Sequence, residues 1–107
     1  MFESTRALDG GDAANANQTV NIWVVSADGG SPTSVTNLSA AGASSHHAAW
    51  SPDGSKLAFD SRRSIDGRDL ANDASNIWII NPDGSDATAL TKNTANGADS
   101  VQPVWRP

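Results

Sequence analysis

Four tryptophans mark two copies of one unit in this chain of 107 residues. Trp23 and Trp78 both follow Asn-Ile and lie 55 positions apart. Trp50 and Trp105 each stand two residues before a proline and are separated by the same distance. Between these anchors the two copies align without a gap. A repeat of about 50 residues is typical of stacked modules or propeller blades, in which neighbouring units cover each other's apolar faces.

The two copies differ in the length of one loop. Upstream of Asn-Ile-Trp the offset becomes 57, so that Phe2 aligns with Phe59 and FESTRALDGGDAAN aligns with FDSRRSIDGRDLAN. The loop before Asn21 is therefore two residues longer than the loop before Asn76.

Each unit is predicted to consist of β-strands. The apolar segments are short, rich in β-branched and aromatic residues, and bounded by turn residues. Ser-Pro-Asp-Gly at 51–54 and Asn-Pro-Asp-Gly at 81–84 match a type I turn. No long stretch has the 3.6-residue apolar period of a helix. The predicted strands are A at 46–50, B at 56–61, C at 75–80 and D at 87–91, with the next strand A at 101–105.

Composition argues against several classes of function. The net charge is −5 and no basic stripe is present, which argues against nucleic-acid binding. The absence of cysteine removes disulfides, thiolate catalysis and zinc–cysteine sites. No apolar run is long enough to span a membrane. The first residues, MFESTRALDGG, lack the apolar region of a secretory signal, so we expect either a cytoplasmic protein or one whose signal has been removed.

Two segments of the sequence resemble the repeat of the TolB-like β-propellers. They are WSPDGSKLAF at 50–59 and NIWIINPDGS at 76–85, which is followed by ALT at 89–91. The resemblance extends over nearly the whole chain because both units have it. It implies an all-β fold of four-stranded antiparallel blades around a central channel, usually six blades. It also implies a non-enzymatic binding protein that docks partner proteins, in the periplasm or secreted.

The order of the strands predicts two blades per chain. Residues 1–45 would form a first blade that lacks its strand A, residues 46–100 a complete second blade, and residues 101–107 a strand A for a neighbouring blade. Exposed strand edges are costly, so we expect head-to-tail assembly into a homo-oligomeric ring. Three chains would give six blades and four would give eight. The resemblance favours the trimer.

Two alternatives to a self-assembling binding module stay open. The chain could be a piece of a larger TolB-like or peptidase-associated propeller. It could also be an enzyme whose site forms at subunit interfaces. The sequence contains no Gly-x-Ser-x-Gly, no His-Glu-x-x-His and no phosphate-binding glycine loop, so we expect no catalysis.

The tryptophans are expected to pack between blades. A residue that recurs once per blade is more often a packing anchor than a ligand-stacking group. This prediction applies to Trp23, Trp50, Trp78 and Trp105.

Two acidic loops share the pattern Asp-Gly-x-Asp-x-Ala-Asn. Its aspartates are Asp9 and Asp12 in the first copy, and Asp66 and Asp69 in the second. Clustered carboxylate and amide oxygens suit Ca²⁺, although the spacing is not that of an EF-hand. The alternative is a pair of Asx-turns that order the loops through side-chain to backbone hydrogen bonds. No other cofactor is expected.

His46 and His47 are the only histidines, and they lie on the predicted strand A. Adjacent residues of a strand point to opposite faces, so the pair is not expected to share one metal ion. Strand A is the innermost strand of a propeller blade, so one imidazole could face the channel. A solvated or packed histidine is the alternative.

Overall fold

The computed structural model describes residues 1–9 and 13–106, and this part of the chain is all-β, as the sequence predicted, with no helix. Within it lie seven strands: β1 (Phe2–Ser4), β2 (Asn21–Val24), β3 (Thr33–Ser34), β4 (Ser45–Trp50), β5 (Leu57–Arg63), β6 (Ala71–Ile80) and β7 (Thr88–Ala89). They form two antiparallel sheets, a first sheet ordered β1-β2-β3 and a second sheet ordered β4-β5-β6-β7. No helix of the described residues is long and apolar enough to cross a membrane.

The observed strands lie where the sequence placed them, with different lengths. β5 and β6 are longer than predicted, because Arg63 pairs with Ala71 and carries their ladder into the acidic loop. β7 has only two residues, whereas a strand was predicted over 87–91. Residues 101–105 were predicted to be a strand and are irregular in the isolated chain.

The turn at Ser51–Gly54 is closed by both backbone and side chains. The Gly54 amide donates to the Ser51 carbonyl at 2.9 Å, and Gly54 has the positive φ of 74° that glycine tolerates. The Asp53 carboxylate accepts hydrogen bonds from the Ser55 amide and from the hydroxyls of Ser51 and Ser55. These donors lower the pKa of Asp53 from 3.8 to about 2. The turn chemistry read from the sequence is therefore confirmed at this position.

The main core lies between the two sheets. It contains Ile22 and Val35 from the first sheet, and Leu57, Phe59, Trp78, Ile80 and Ala89 from the second. The turn before β7 touches the first sheet directly, since a Cβ on Gly84 would lie 2.8 Å from the Val35 carbonyl oxygen. One sheet thus packs face to face on the next.

In each repeat a buried asparagine holds the segment that follows the last strand of the sheet. Asn76 accepts hydrogen bonds from the Thr91 hydroxyl at 2.8 Å and the Asn93 amide at 2.7 Å, and its side-chain amide donates to the Asn93 carbonyl at 3.0 Å. Asn21 makes the same three bonds, to Thr36 and Leu38. The asparagine of Asn-Ile-Trp is therefore a structural clamp, which explains why it recurs with the tryptophan.

The four tryptophans fall into two environments. Trp23 and Trp78 are both buried, stacked on Phe2 and Phe59 respectively, and Trp78 belongs to the core between the two sheets. Trp50 is 40% exposed and Trp105 is half-buried in the isolated chain. Packing of all four between neighbouring blades stays a prediction, because it depends on what covers the outer faces of the two sheets.

Candidate functional site at the junction of the repeats

The strand β4 joins the two sheets. It pairs with β5 in the second sheet and also contacts the first. The Ser45 amide donates to the Val20 carbonyl at 2.8 Å, and the His47 amide donates to a carboxylate oxygen of Glu3 at 2.6 Å. These two backbone donors hold the start of the second repeat against the first.

The same two contacts recur one repeat later. The Ser100 amide donates to the Ser75 carbonyl at 2.8 Å, and the Gln102 amide donates to a carboxylate oxygen of Asp60 at 2.8 Å. Gln102 also repeats the positive φ of His47, 55° against 54°. Residues 100–105 therefore lie on the second sheet as β4 lies on the first.

A further hydrogen bond links the two equivalent segments. The indole N–H of Trp105 donates to the Ala49 carbonyl of β4 at 2.9 Å. The equivalent indole, that of Trp50, has no hydrogen-bond partner within residues 1–9 and 13–106. By analogy, the acceptor for Trp50 would lie on a segment one repeat before β4, just as β4 lies one repeat before residues 100–105.

The two histidines lie at this junction, each beside a carboxylate. Nδ1 of His46 is 3.3 Å from a carboxylate oxygen of Glu3, and Nδ1 of His47 is 2.8 Å from one of Asp60. The pairing of β4 with β5 is irregular between His46 and Ala49, and the imidazole centroids are 5.9 Å apart. The strict alternation assumed for strand A is interrupted there by a β-bulge and a positive φ, and the expectation that the two histidines do not share one metal ion stays a prediction.

Asp60 and Glu3 are site residues that the sequence reasoning did not select. Asp60 is buried and accepts from both the His47 ring and the Gln102 amide, as a buried carboxylate must have partners. Glu3 is its equivalent at the 57-residue offset. An acidic residue that recurs just after the phenylalanine of strand B was the available signal.

A polar pocket of about 190 Å³ opens beside Asp60. Its lining includes Arg62, which forms an ion pair with Asp99 at 3.2 Å, and it also includes His46 and Ser75. In the described part of the chain, neither imidazole is hydrogen-bonded to a serine or threonine hydroxyl. The charged and polar side chains around the pocket suit a polar ligand.

The second acidic loop is held by local donors. Asp69 accepts from the amides of Ala40 and Ser39 and from the Ser39 hydroxyl, which ties the loop to the first repeat. Burial raises the pKa of Asp69, but these donors outweigh burial and hold the pKa below its ordinary value. Asp66 accepts from the Ser64 hydroxyl and from Arg68, which also lowers its pKa.

Three of the four predicted calcium ligands, Asp9, Asp66 and Asp69, lie in the described part of the chain. Asp9 is exposed, and Asp12 lies outside the described residues. Across residues 1–9 and 13–106, no group of three or more histidine, aspartate or glutamate side chains is placed to hold a metal ion. The bonds of Asp66 and Asp69 are those expected of loop-ordering turns, and calcium binding stays a prediction.

A buried arginine stacks on the core tryptophan of the second repeat. The Arg63 guanidinium lies 4.7 Å from the ring centroid of Trp78, and that of Arg6 lies 5.2 Å from the ring of Trp23. Among the described residues, the indole nitrogens of both tryptophans are buried without a partner. Because both repeats share this arrangement, we assign it to the fold and not to a ligand site.

In comparisons with known proteins, the chain matched no family model, no curated protein and no solved structure.

Proposed function

We propose that this chain is a non-enzymatic β-propeller scaffold that binds its partners after head-to-tail assembly into a ring. The observation that carries the proposal is the repeated junction: residues 100–105 contact the second sheet through the same backbone donors that hold β4 on the first. They lie where the first strand of a third repeat would lie. Meanwhile β1 has a neighbour on one side only, β2.

These two features complement each other. Residues 100–105 take the place of the first strand of a blade, but no second strand of the described residues lies beside them. β1 takes the place of the second strand of a blade, but no first strand of the described residues lies beside it. An unpaired edge is a template for another strand, so joining the two removes both defects. Each copy would then contribute two blades, and a six-bladed ring would contain three copies.

The binding surface of such a ring would be the junction. The pocket beside Asp60 and the two histidines lies there, and its mixed charges suit a polar ligand or a polar segment of a partner protein. The net charge of −5 per chain opposes assembly only mildly, because salt screens exposed charges beyond about 10 Å at 0.1 M.

The experiment that tests this proposal is the particle mass in solution. Light scattering after size exclusion is expected to give about 33 kDa, three times the 11.0 kDa of one chain. A mass of about 44 kDa would replace the trimer by a tetramer and keep the ring. A folded particle of 11.0 kDa at all concentrations would contradict self-assembly and favour the alternative that these junctions form within one longer chain.

A further inference from the structure

Positions that are equivalent in the two repeats differ sharply in burial. Val35 is 1% exposed, whereas Leu90, its equivalent 55 residues later, is 58% exposed. The reverse holds on the opposite face, where Ile80 is 2% exposed and its equivalent Val25 is 37% exposed. The residues are apolar in both repeats, so the difference comes from what covers them.

In each buried case the cover is the other sheet. Ile22 and Val35 of the first sheet pack on Trp78 and Ile80 of the second. The face of the second sheet around Ile77, Ile79 and Leu90 is equivalent to the buried face of the first sheet, and no sheet formed by residues 1–9 and 13–106 packs against it. The face of the first sheet that contains Phe2 and Val25 is equivalent to the buried face of the second. The chain thus has two uncovered faces. They are complementary to each other in the same way as the two faces that pack together inside the chain.

We infer that a second copy of the chain covers these faces by repeating the sheet-to-sheet packing seen within one copy. This inference rests on the proposed function and adds the surface and its register. The Leu90 face of one copy packs on the Val25 face of the next. Residues 100–105 of the first copy then pair with β1 of the second.

The register follows from the pairing of β4 with β5. There Ser45 lies opposite Ser61, His46 opposite Asp60, and Ala49 opposite Ala58. Shifted by one repeat, these pairs become Ser100 opposite Ser4, Val101 opposite Glu3, and Val104 opposite Met1. Ser4 already shares a feature with Ser61, since each hydroxyl accepts the amide two residues on, at 3.1 Å.

The same shift supplies the missing partner of Trp50. Within one copy Trp105 donates to Ala49, so Trp50 of the second copy donates to the Val104 carbonyl of the first. Several exposed apolar side chains meet at this interface. They are Met1, Val25, Trp50, Leu90, Val101 and Val104, the last 90% exposed in the isolated chain. Apolar area of this kind, matched to a complementary face, marks an interaction surface.

The partner is a second copy because the complement is internal to the sequence. A protein of another kind would have to reproduce a strand with the φ pattern of residues 100–105 and a face equivalent to that of β1 and β2. This chain presents both, in the relative placement that one repeat dictates.

Engineered disulfides test the register. The chain has no cysteine, so any disulfide of a Ser4→Cys, Ser100→Cys variant joins these introduced positions. Paired residues on adjacent strands have the separation that a disulfide needs. Under mild oxidation we expect covalent dimers and trimers on a non-reducing gel. A mixture of the two single variants should stop at the dimer. Ser4→Cys with Ser85→Cys, in the turn before β7, is the matched control and should stay uncrosslinked.

A surface substitution provides a second test. Leu90→Asp is expected to shift the particle from about 33 kDa to 11.0 kDa with an unchanged circular dichroism spectrum, because Leu90 is exposed in the isolated chain. Leu70→Asp, at an exposed leucine outside the interface, should keep the larger mass. A particle of about 33 kDa that neither crosslinks nor responds to Leu90→Asp would overturn this interface but leave the ring. A wild-type monomer would overturn the proposed function itself. A crosslink confined to one chain would also contradict the interface.

Discussion

Trp50→Ala is expected to dissociate the assembly while leaving each chain folded. In the isolated chain Trp50 is 40% exposed and its indole N–H has no partner among the described residues, so truncation opens no closed cavity. In the ring the indole would be covered by the neighbouring copy and would donate to its Val104 carbonyl. The effect of the substitution should therefore depend on whether the ring is formed.

The size of the effect follows from the area that assembly covers. A tryptophan side chain buries roughly 150–250 Å², so the exposed 40% is about 60–100 Å². At about 25 cal/mol per Å² its burial contributes about 1.5–2.5 kcal/mol at each junction. The indole hydrogen bond adds about 1 kcal/mol. Their loss should raise the Kd of one junction on the order of a hundredfold.

Analytical ultracentrifugation over a range of concentrations measures this change. The wild type should remain assembled at concentrations where Trp50→Ala is a monomer. Trp78→Ala is the matched control: Trp78 is 1% exposed, so its truncation should cost about 3–5 kcal/mol of unfolding free energy at every concentration. If Trp50→Ala leaves the mass unchanged throughout the range, or if its cost does not depend on concentration, Trp50 is not at a junction between copies.

Three further predictions concern the fold and its carboxylates. Asn76→Ala and Asn21→Ala should each lower the unfolding free energy by about 3 kcal/mol in urea titrations, because each loses three hydrogen bonds made by a buried side chain; clearly unequal losses would refute their equivalence. Stability should be constant above about pH 5 and fall as the pH drops from about 4 towards 2. Asp53 has a folded pKa of about 2, below its ordinary value, so folding favours its charged form, and Asp53→Asn should make the acid side of the profile shallower. Adding Ca²⁺ or EDTA should leave the Tm unchanged, because the Asp66 and Asp69 carboxylates are already occupied by loop donors; a rise in Tm with Ca²⁺ would instead support the calcium site predicted from the sequence.

Local structure was predictable where local chemistry determines it. The Ser-Pro-Asp-Gly turn at 51–54 forms through the residues that make such a turn favourable, and β4 and β5 flank it as predicted. The 55-residue period correctly paired Trp23 with Trp78 as buried residues of one kind. These features depend on neighbours in sequence or on a repeat that is visible without a structure.

The candidate site was less predictable because it depends on contacts distant in sequence. The bulge at His47 could not be read from a strand pattern, and it brings the imidazole to Asp60 while the backbone amide reaches Glu3. The partners of Asp69 lie about thirty residues earlier, at Ser39 and Ala40, so the loop pattern alone did not distinguish a turn from a metal site. Tertiary contacts decided each of these cases.

The two kinds of junction in the proposed ring would differ in one chemical respect. Within a chain, the His47 imidazole lies on the Asp60 carboxylate. Between chains, the repeat would bring the Gln102 side chain to Glu3, so that a side-chain amide takes the place of the imidazole as hydrogen-bond donor. The junction between copies would therefore present an amide where the junction inside each chain presents an imidazole. In a ring of three copies the two kinds of junction would alternate. A ligand in the channel of that ring would then contact the histidines of three chains, related by threefold symmetry.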